Sequence, residues 1–258
     1  MTALLHRSPQ PARAVPRTRP SVTVVIPTLN EAKNIPHVLA ALPADYEIVI
    51  VDGASTDGTA EVARAVRPGV RVLSQRRKGK GDALARGFAA ATNDIVVMLD
   101  ADGSADPAEI PRFVDALMDG ADFAKGSRFL PGGGSADITA LRRAGNAVLT
   151  AVVNTLFGSE YTDLCYGYNA FWRRCLDEVA MCTDGFEVET SINVQVAKLG
   201  LNVVEVPSFE RDRLHGVSNL HAFRDGRRVL RTILAEWILP RRAARLADVV
   251  DVIDLTAA

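Results

Sequence analysis

The sequence lacks a long apolar run and an excess of charge of either sign, and it holds few cysteines and few aromatic residues. Aromatic residues make up 6% of the 258 residues, and the formal net charge is −1. A near-neutral chain has no global basic field, so we expect no nucleic-acid partner. The three cysteines are an odd number without metal-type spacing, which is typical of reduced thiols and predicts a cytoplasmic protein.

No apolar stretch approaches the length of about 18 residues that spans a bilayer. The best candidate, residues 148–157, is too short and contains Asn154. Residues 1–20 hold four prolines among basic side chains and are predicted to form a flexible N-terminal tail. Hydrophobic residues nevertheless make up 48% of the chain, which is enough for one sizeable domain with a buried core.

Strand-like apolar runs alternate with helical patterns from residue 22 onwards. Strands are predicted over residues 22–26, 47–51, 70–74, 95–99 and 122–124, and helices over residues 32–42, 59–66, 81–91 and 107–118. This alternation over short loops is typical of an α/β domain with a mostly parallel sheet that helices cover on both faces. In such sheets, ligands bind beyond the carboxyl ends of the strands.

Polar residues follow three of these strands at the point where each strand ends. The sequences are PTLNE at residues 27–31, DGASTDGT at residues 52–59 and DADGSADP at residues 100–107. Because the carboxyl ends of parallel strands lie at one edge of the sheet, we expect the three segments to meet there. Three unrelated solvated turns would need a coincidence, so the pattern favours a functional site.

Asp100 and Asp102 are separated by one residue at the end of the fourth strand. Side-chain direction alternates along a strand, so both carboxylates should point to the same side. Oxygen ligands of this kind suit Mg²⁺ or Mn²⁺, which are commonly shared with substrate phosphates. Taken alone, the segment is also compatible with a solvated turn that caps a helix starting at Pro107.

Three further segments supply cations. RRKGKGDA, residues 76–83, places Lys80 in a glycine-flanked turn that leads into a helix, where backbone amides suit phosphate. KGSR ends in Arg128 and DRLHGVSN contains Arg213, and an arginine fork pairs well with a diphosphate. A solvated basic loop is the alternative for each segment, so these cations indicate phosphate binding only as a set.

In order along the chain, these motifs resemble an inverting glycosyltransferase of family two, in the branch of dolichol-phosphate mannosyltransferases and bacterial polyprenyl-phosphate glycosyltransferases. The resemblance covers residues 21–235 and is carried by VVIPTLNE, VDGASTDGT, MLDADGSADPAEIP, KGSR, TDLCYGYNAF, GFEVE and VPSFERDRLHGVSN. It implies a GT-A fold, a single Rossmann-like sheet with a metal-binding Asp-x-Asp. We therefore expect a GT-A domain over residues 21–225 and a C-terminal amphipathic helix and tail over residues 226–258.

The resemblance also implies roles for individual residues. Asp102, Arg128 and Arg213 are the expected catalytic residues. Asp100 and Asp102 are the expected ligands of Mg²⁺ or Mn²⁺. The residues expected to bind the nucleotide sugar are Pro27, Thr28, Asn30, Glu31, Asp52, Ser55, Asp57, Asp100 and, from its glycine-flanked turn, Lys80. The residues expected on the acceptor side are Arg142, Arg143, Asp163, Glu187 and Glu189.

These features predict transfer of a sugar from a nucleoside-diphosphate sugar to an acceptor, with inversion at the anomeric carbon. A polyprenyl phosphate is the expected acceptor, and it needs no general base because it is already anionic. A soluble hydroxyl acceptor is the alternative, and Asp163, Glu187 or Glu189 would then take its proton. A nucleotidyltransferase and a non-catalytic nucleotide-sugar binder are further alternatives, although PTLNE is unlike the glycine- and arginine-rich loop that the former needs.

The C-terminal region bears on where the protein works. Apolar residues recur at helical spacing over residues 229–238, and arginines lie at positions 227, 228 and 231 and again at 241, 242 and 245. Such a basic amphipathic helix predicts either peripheral contact with the inner face of the cell membrane or docking on the domain itself. A homo-oligomer is also compatible with the sequence.

Overall fold

A computed structural model describes residues 19–179, 185–217 and 221–238. The strands are β1 (Val22–Thr28), β2 (Glu47–Asp52), β3 (Arg71–Ser74), β4 (Ile95–Met98), β5 (Phe123–Ser127), β6 (Gly134–Ser135), β7 (Asn169–Trp172), β8 (Val203–Pro207) and β9 (Phe209–Glu210). Seven of them form one sheet in the order β3-β2-β1-β4-β7-β5-β8, and β6 pairs with β9 separately. In the large sheet β7 is antiparallel to both neighbours and the other pairs are parallel. The predicted mostly parallel α/β sheet is therefore confirmed.

Helices cover this sheet. They are α1 (Ile35–Ala41), α2 (Thr59–Val66), α3 (Lys80–Ala90), α4 (Ile110–Met118), α5 (Ala140–Phe157), α6 (Val188–Leu199) and α7 (Ala222–Ile238), with 3-10 helices at Pro107–Glu109 and Arg173–Asp177. α3 packs on β1 and β2, α4 packs on β5 and β7, and α7 contacts both α5 and α6. None of the helices in the described part of the chain is long and apolar enough to cross a membrane.

The differences from the predicted elements lie at their ends. β1 continues beyond residue 26 because its pairing with β2 extends to Thr28 and Asp52. α1 begins at residue 35 rather than 32, since a turn closed by the 3.0 Å hydrogen bond from Asn34 N to Glu31 O precedes it. The helix predicted over residues 107–118 is divided into a 3-10 turn and α4, and Asp106 caps that turn by accepting from Ala108 N at 2.9 Å.

The main core holds the strands that end at the predicted site. β1, β2 and β4 are buried along nearly their whole length, as their continuous Val and Ile runs predict for strands covered on both faces. Phe123 stacks on Phe171 with ring centroids 5.2 Å apart, and Phe88 meets Phe171 edge-on at 5.4 Å. This packing fixes the positions from which the loops after the three strands depart.

A second, smaller core joins α5, α6 and α7. Its buried residues include Val153 from α5, Val194 from α6, and Val229 and Ile233 from α7. α7 therefore docks on the domain along one side, as one of the two predictions for this region expected. Its apolar residues on the remaining surface are exposed: Phe223, Leu230, Leu234, Trp237 and Ile238.

Some predictions concern residues outside the described ranges. Residues 1–18 of the predicted N-terminal tail, which extends to residue 20, lie outside the described residues, as do the arginines at positions 241, 242 and 245. α7 begins at Ala222, four residues before the predicted start of the C-terminal extension at residue 226. The predicted domain limits remain predictions.

Candidate active site

A cleft with a volume of about 1310 Å³ opens where β1, β2 and β4 end. The predicted site residues that line it are Pro27, Thr28, Glu31, Lys80, Asp100, Asp102, Arg128, Arg142, Glu189 and Arg213. The predicted site residues outside its lining are Asn30, Asp52, Ser55, Asp57, Arg143, Asp163 and Glu187. The meeting of the three strand-end segments at one edge is thus observed, but the predicted residues do not all face the same space.

The loops that follow β1 and β2 are joined by side-chain hydrogen bonds. Asp52 accepts from Ser55 Oγ at 2.6 Å and from Thr28 Oγ1 at 3.1 Å. Asn30 N donates to Ser55 Oγ at 2.8 Å. Asp57 accepts from Thr59 and Ala32, and although burial opposes it, these hydrogen bonds lower the pKa of Asp57. Asn30, Ser55 and Asp57 therefore shape the wall of the cleft, and their contact with a nucleotide remains a prediction.

Two cations in the cleft each contact two carboxylates. Lys80 Nζ lies 2.6 Å from both Asp100 Oδ1 and Glu189 Oε1. Arg213 contacts Asp102 Oδ2 and Glu31 Oε1, each at 2.9 Å. Burial favours the neutral form of Lys80, but the charges of Asp100 and Glu189 outweigh it and raise the pKa of this amine. The like charges that the sequence places so close together are thus neutralised by two cations.

The carboxylates of Asp100 and Asp102 are the candidate metal donors. Within the described ranges, no group of three or more His, Cys, Asp or Glu side chains is arranged to hold a metal ion. Two carboxylates nevertheless suit Mg²⁺ or Mn²⁺, because such ions commonly take one or two protein oxygens together with water and substrate phosphates. Asp102 Oδ1 also accepts from Ser104 N at 2.9 Å, which fixes this carboxylate at the start of the loop.

Arg128 lines the cleft and is held by carboxylates on two sides. Its Nε and Nη2 donate to the two oxygens of Asp163 at 2.7 and 3.0 Å, and its Nη1 donates to Glu210 at 3.0 Å. Burial would raise the pKa of Asp163, but the hydrogen bonds of Arg128 and the charge of Lys125 outweigh it and lower that pKa. Asp163 is fully buried in this pair and lies outside the cleft lining, and its role on the acceptor side remains a prediction.

The other predicted acceptor residues occupy different surroundings. Arg142 lines the cleft and donates to Asp137 at 2.9 Å. The guanidinium of Arg143 lies over the Phe129 ring, 5.2 Å from its centroid, outside the cleft lining. Glu187 accepts from Gly185 N just before α6, and Glu189 is buried beside Lys80. Of this group, Arg142 and Glu189 reach the cleft.

Two neighbours of Arg128 were missed by sequence reasoning. Glu210 receives one of its hydrogen bonds, and the Tyr166 ring lies 4.8 Å from its guanidinium carbon. Both residues belong to segments that carry the family resemblance, but nothing in the pattern marks either as a partner of Arg128. The position of Glu210 depends on the two-residue pairing of β6 with β9, which has no periodic signal.

Comparison with known proteins agrees with this geometry. The family described as glycosyl transferase family 2 matches residues 23–179. Polyprenol monophosphomannose synthase of Mycolicibacterium smegmatis is 33% identical over an alignment of 259 positions, and the alignment covers 93% of this chain and 94% of that relative. An uncharacterized glycosyltransferase of Mycobacterium tuberculosis is 48% identical over 108 residues, which cover 42% of this chain and 49% of that relative.

A solved structure gives the same result for the fold. Glucosyl-3-phosphoglycerate synthase of Mycobacterium tuberculosis, in complex with Mn²⁺, UDP-glucose and phosphoglyceric acid, superposes with a TM-score of 0.69 and 26% identity. The match covers 86% of this chain and 81% of that one. The predicted GT-A fold is therefore confirmed, and the chain belongs to glycosyl transferase family 2 and is a glycosyltransferase.

Proposed function

We propose that this glycosyltransferase moves a sugar from a nucleoside-diphosphate sugar to a polyprenyl phosphate, with a divalent cation and with inversion at the anomeric carbon. The observation that carries the proposal is the composition of the cleft. One half of the lining holds Asp100, Asp102, Lys80 and Arg213. The other half, from α5 and α7, combines apolar residues such as Leu141 and Phe223 with Arg142, Asn146, Asp225 and Arg228. A charged donor fits the first half, and an acceptor that joins a phosphate to a hydrocarbon chain fits the second.

The relatives support both parts of this proposal. The mycobacterial structural neighbour is described with Mn²⁺ and UDP-glucose, which supports a metal-bound nucleotide sugar in the charged half. The full-length relative of Mycolicibacterium smegmatis is named for a polyprenol phosphate product, which supports a lipid-linked acceptor. The phosphoglyceric acid of the structural neighbour is a soluble acceptor, and a soluble acceptor is the competing function.

The leaving group would be neutralised from several sides. Asp100 and Asp102 would hold Mg²⁺ or Mn²⁺, which supplies positive charge to the departing diphosphate. Arg213 lies on the loop after β9 and would exchange its contacts with Glu31 and Asp102 for phosphate oxygens. Lys80, at the start of α3, would add a further positive charge close by. Once they contact the bound donor, these cations need no further reorganisation when charge develops on the departing phosphate.

The pairing of Asp163 with Arg128 favours an acceptor that is already anionic. A hydroxyl acceptor would need a general base, and Asp163 and Glu189 were two of the three candidates. Asp163 is bound on both oxygens by Arg128, and Glu189 lies 2.6 Å from Lys80. Although burial opposes it, the hydrogen bonds of Arg128 lower the pKa of Asp163 and make it a weak base, whereas burial raises the pKa of Glu189 despite the charge of Lys80. An acceptor phosphate that needs no deprotonation therefore suits the state of Asp163 better.

We also propose that α7 brings the protein to the inner face of the cell membrane. Phe223, Leu230, Leu234 and Trp237 are exposed on this helix. Exposed arginines at positions 224, 227, 228 and 231 occupy the neighbouring surface of the helix. An apolar stripe beside a row of basic residues suits a helix that lies in the interface of an anionic membrane.

The test is a transfer assay with labelled nucleotide sugars. Each donor of a GDP-, UDP- and dTDP-sugar panel would be incubated with Mg²⁺ or Mn²⁺ and either a polyprenyl phosphate or 3-phosphoglycerate. We expect one donor to label the lipid phosphate and Asp102→Asn to abolish most of that labelling. Labelling of the soluble acceptor alone would contradict the lipid proposal, and labelling that is independent of metal and of Asp102 would contradict the donor site.

A further inference from the structure

The loop after β9 is bound to the loop after β4 through main-chain atoms. We call residues 211–217 the β9 loop and residues 100–106 the β4 loop. Two main-chain hydrogen bonds join them, from Arg211 N to Ser104 O at 2.8 Å and from Leu214 N to Asp102 O at 3.1 Å. The two loops therefore form one unit, although they lie far apart in the sequence.

The side chain of Leu214 lies on Gly103, in the middle of this unit. A Cβ atom built on Gly103 would be only 2.6 Å from Leu214 Cδ1, and the φ angle of Gly103 is +77°. Glycine at this position thus permits both the turn of the β4 loop and the close approach of the leucine. Because Leu214 is 48% exposed, the contact adds little to the buried core. Its effect is local, since it fixes the β9 loop on the β4 loop.

Arg213 is the neighbour of Leu214 in the β9 loop. Its guanidinium contacts Asp102 Oδ2 and Glu31 Oε1, each at 2.9 Å. Under the proposed function, the guanidinium exchanges both carboxylates for phosphate oxygens, and neither ion pair then holds the arginine. The contact of Leu214 with Gly103 and the main-chain hydrogen bonds involve no atom of the guanidinium, so this exchange leaves them in place.

A second contact fixes the β9 loop immediately after Leu214. The main-chain oxygen of His215 accepts from Asn34 Nδ2 at 3.1 Å. Asn34 is buried at the start of α1. Consecutive residues of the β9 loop are therefore bound to two different parts of the domain. The side chain of Arg213 can change its partners while the main chain beside it stays fixed.

We propose that Leu214 is a positioning residue, and that its contact with Gly103 holds Arg213 at the distance from Asp102 that a metal-bound diphosphate requires. This inference rests on the proposed function, because that function assigns Arg213 to the diphosphate. A side chain that is already held in place loses less conformational freedom when it binds. An arginine on an unattached loop would first have to be ordered, and the cost of ordering it would weaken binding.

The test compares diphosphates with monophosphates in the full chain. GDP, UDP and dTDP are each titrated by calorimetry in the presence of Mn²⁺, beside the corresponding nucleoside monophosphate. Leu214→Ala removes the contact with Gly103, whereas Leu214→Met keeps a flexible apolar side chain that can cover the glycine. Val204→Ala is the matched control, since Val204 is 40% exposed on β8 and lies outside the cleft lining. Thermal unfolding checks that every variant folds.

We expect Leu214→Ala to bind the diphosphate about fivefold more weakly than the wild type, with unchanged affinity for the monophosphate. Leu214→Met and Val204→Ala should bind both nucleotides as the wild type does. In a chain that already carries Arg213→Gln, Leu214→Ala should have no further effect on diphosphate binding. This non-additivity is expected because Leu214 acts through Arg213.

The outcomes separate this inference from the proposed function. If the wild type binds a diphosphate with Mn²⁺ and folded Leu214→Ala matches its affinity, the positioning role is wrong and the proposed function stands. An equal loss for the diphosphate and the monophosphate, or an undiminished loss in the Arg213→Gln background, would also overturn the positioning role. If the wild type binds no diphosphate with Mn²⁺, the proposed function fails and the role of Leu214 fails with it.

Discussion

The two halves of the cleft are built in opposite ways. In the charged half, Lys80 and Arg213 each bridge two carboxylates at distances of 2.6 to 2.9 Å, so the side chains hold one another in place. In the half lined by α5 and α7, exposed apolar side chains such as Leu141 and Phe223 lie among Arg142 and Arg228, and no ion pair joins the two helices across the cleft in the described part of the chain. Under the proposed function, a diphosphate would need fixed positions for charge and a hydrocarbon chain would need volume, and the two halves match these needs.

The largest expected effect is on the free energy of unfolding and comes from breaking the buried pair of Asp163 and Arg128. Asp163→Asn would leave the buried Arg128 with Glu210 as its one remaining carboxylate partner, and the free energy of unfolding should fall by about 3 kcal/mol. Urea unfolding measures the loss. The matched control is Asp137→Asn, whose exposed pair with Arg142 at 2.9 Å should be worth less than about 1 kcal/mol. Equal losses in both variants would show that the Arg128 pair is no more than an ordinary surface contact.

A smaller effect, on turnover, is expected at Arg213, which would exchange its contacts with Glu31 and Asp102 for phosphate oxygens. Arg213→Lys keeps the charge but loses the planar fork that pairs with a diphosphate. Turnover should fall about tenfold, which corresponds to about 1.4 kcal/mol of barrier. Arg211→Lys is the control, because Arg211 lies on the same loop and pairs with Asp106 at 2.7 Å. Initial rates at saturating donor check this, and a wild-type rate for Arg213→Lys would rule out the bidentate role.

The proposed membrane contact of α7 can be tested through the exposed arginines of that helix. Arg231→Gln removes one exposed arginine beside the apolar stripe of α7. Its contribution to binding an anionic membrane should be about 1 kcal/mol, or about fivefold in affinity at low salt. Co-sedimentation with vesicles of phosphatidylglycerol and phosphatidylcholine measures it, and Arg64→Gln on α2 is the control. Binding that is unaffected by both salt and Arg231→Gln would remove the electrostatic part of the membrane proposal.

The smallest expected effect is on the dependence of stability on pH. The folded-state pKa of Asp163 lies below its usual value, so its pair contributes stability that is fully present above the unfolded pKa of about 3.9. That contribution is lost as the pH falls through the folded pKa. The wild type should therefore lose more stability than Asp163→Asn when the pH falls from about 5 to about 3. Parallel urea unfolding curves across this range would contradict the assignment.

Features that follow from the order of strands and helices could be predicted from the sequence, whereas contacts between distant parts of the chain could not. The meeting of Asp100, Asp102 and Glu31 follows from the alternation of strands and helices, since parallel strands bring their carboxyl ends together. The clamp on Arg128 could not be derived, because it joins Asp163 and Glu210 across 35 and 82 residues of chain. The contribution of α5 and α7 to the cleft could not be predicted either, because only the packing of the two helices determines which of their residues line it.

The most direct test of the account is the structure of the product. Phosphorus and proton NMR of the purified lipid-linked product would show how the sugar is attached. We predict that the anomeric proton couples to phosphorus and that its configuration is opposite to that in the donor. An anomeric proton without phosphorus coupling would mean that a hydroxyl group is the acceptor, and a retained configuration would contradict the inverting transfer.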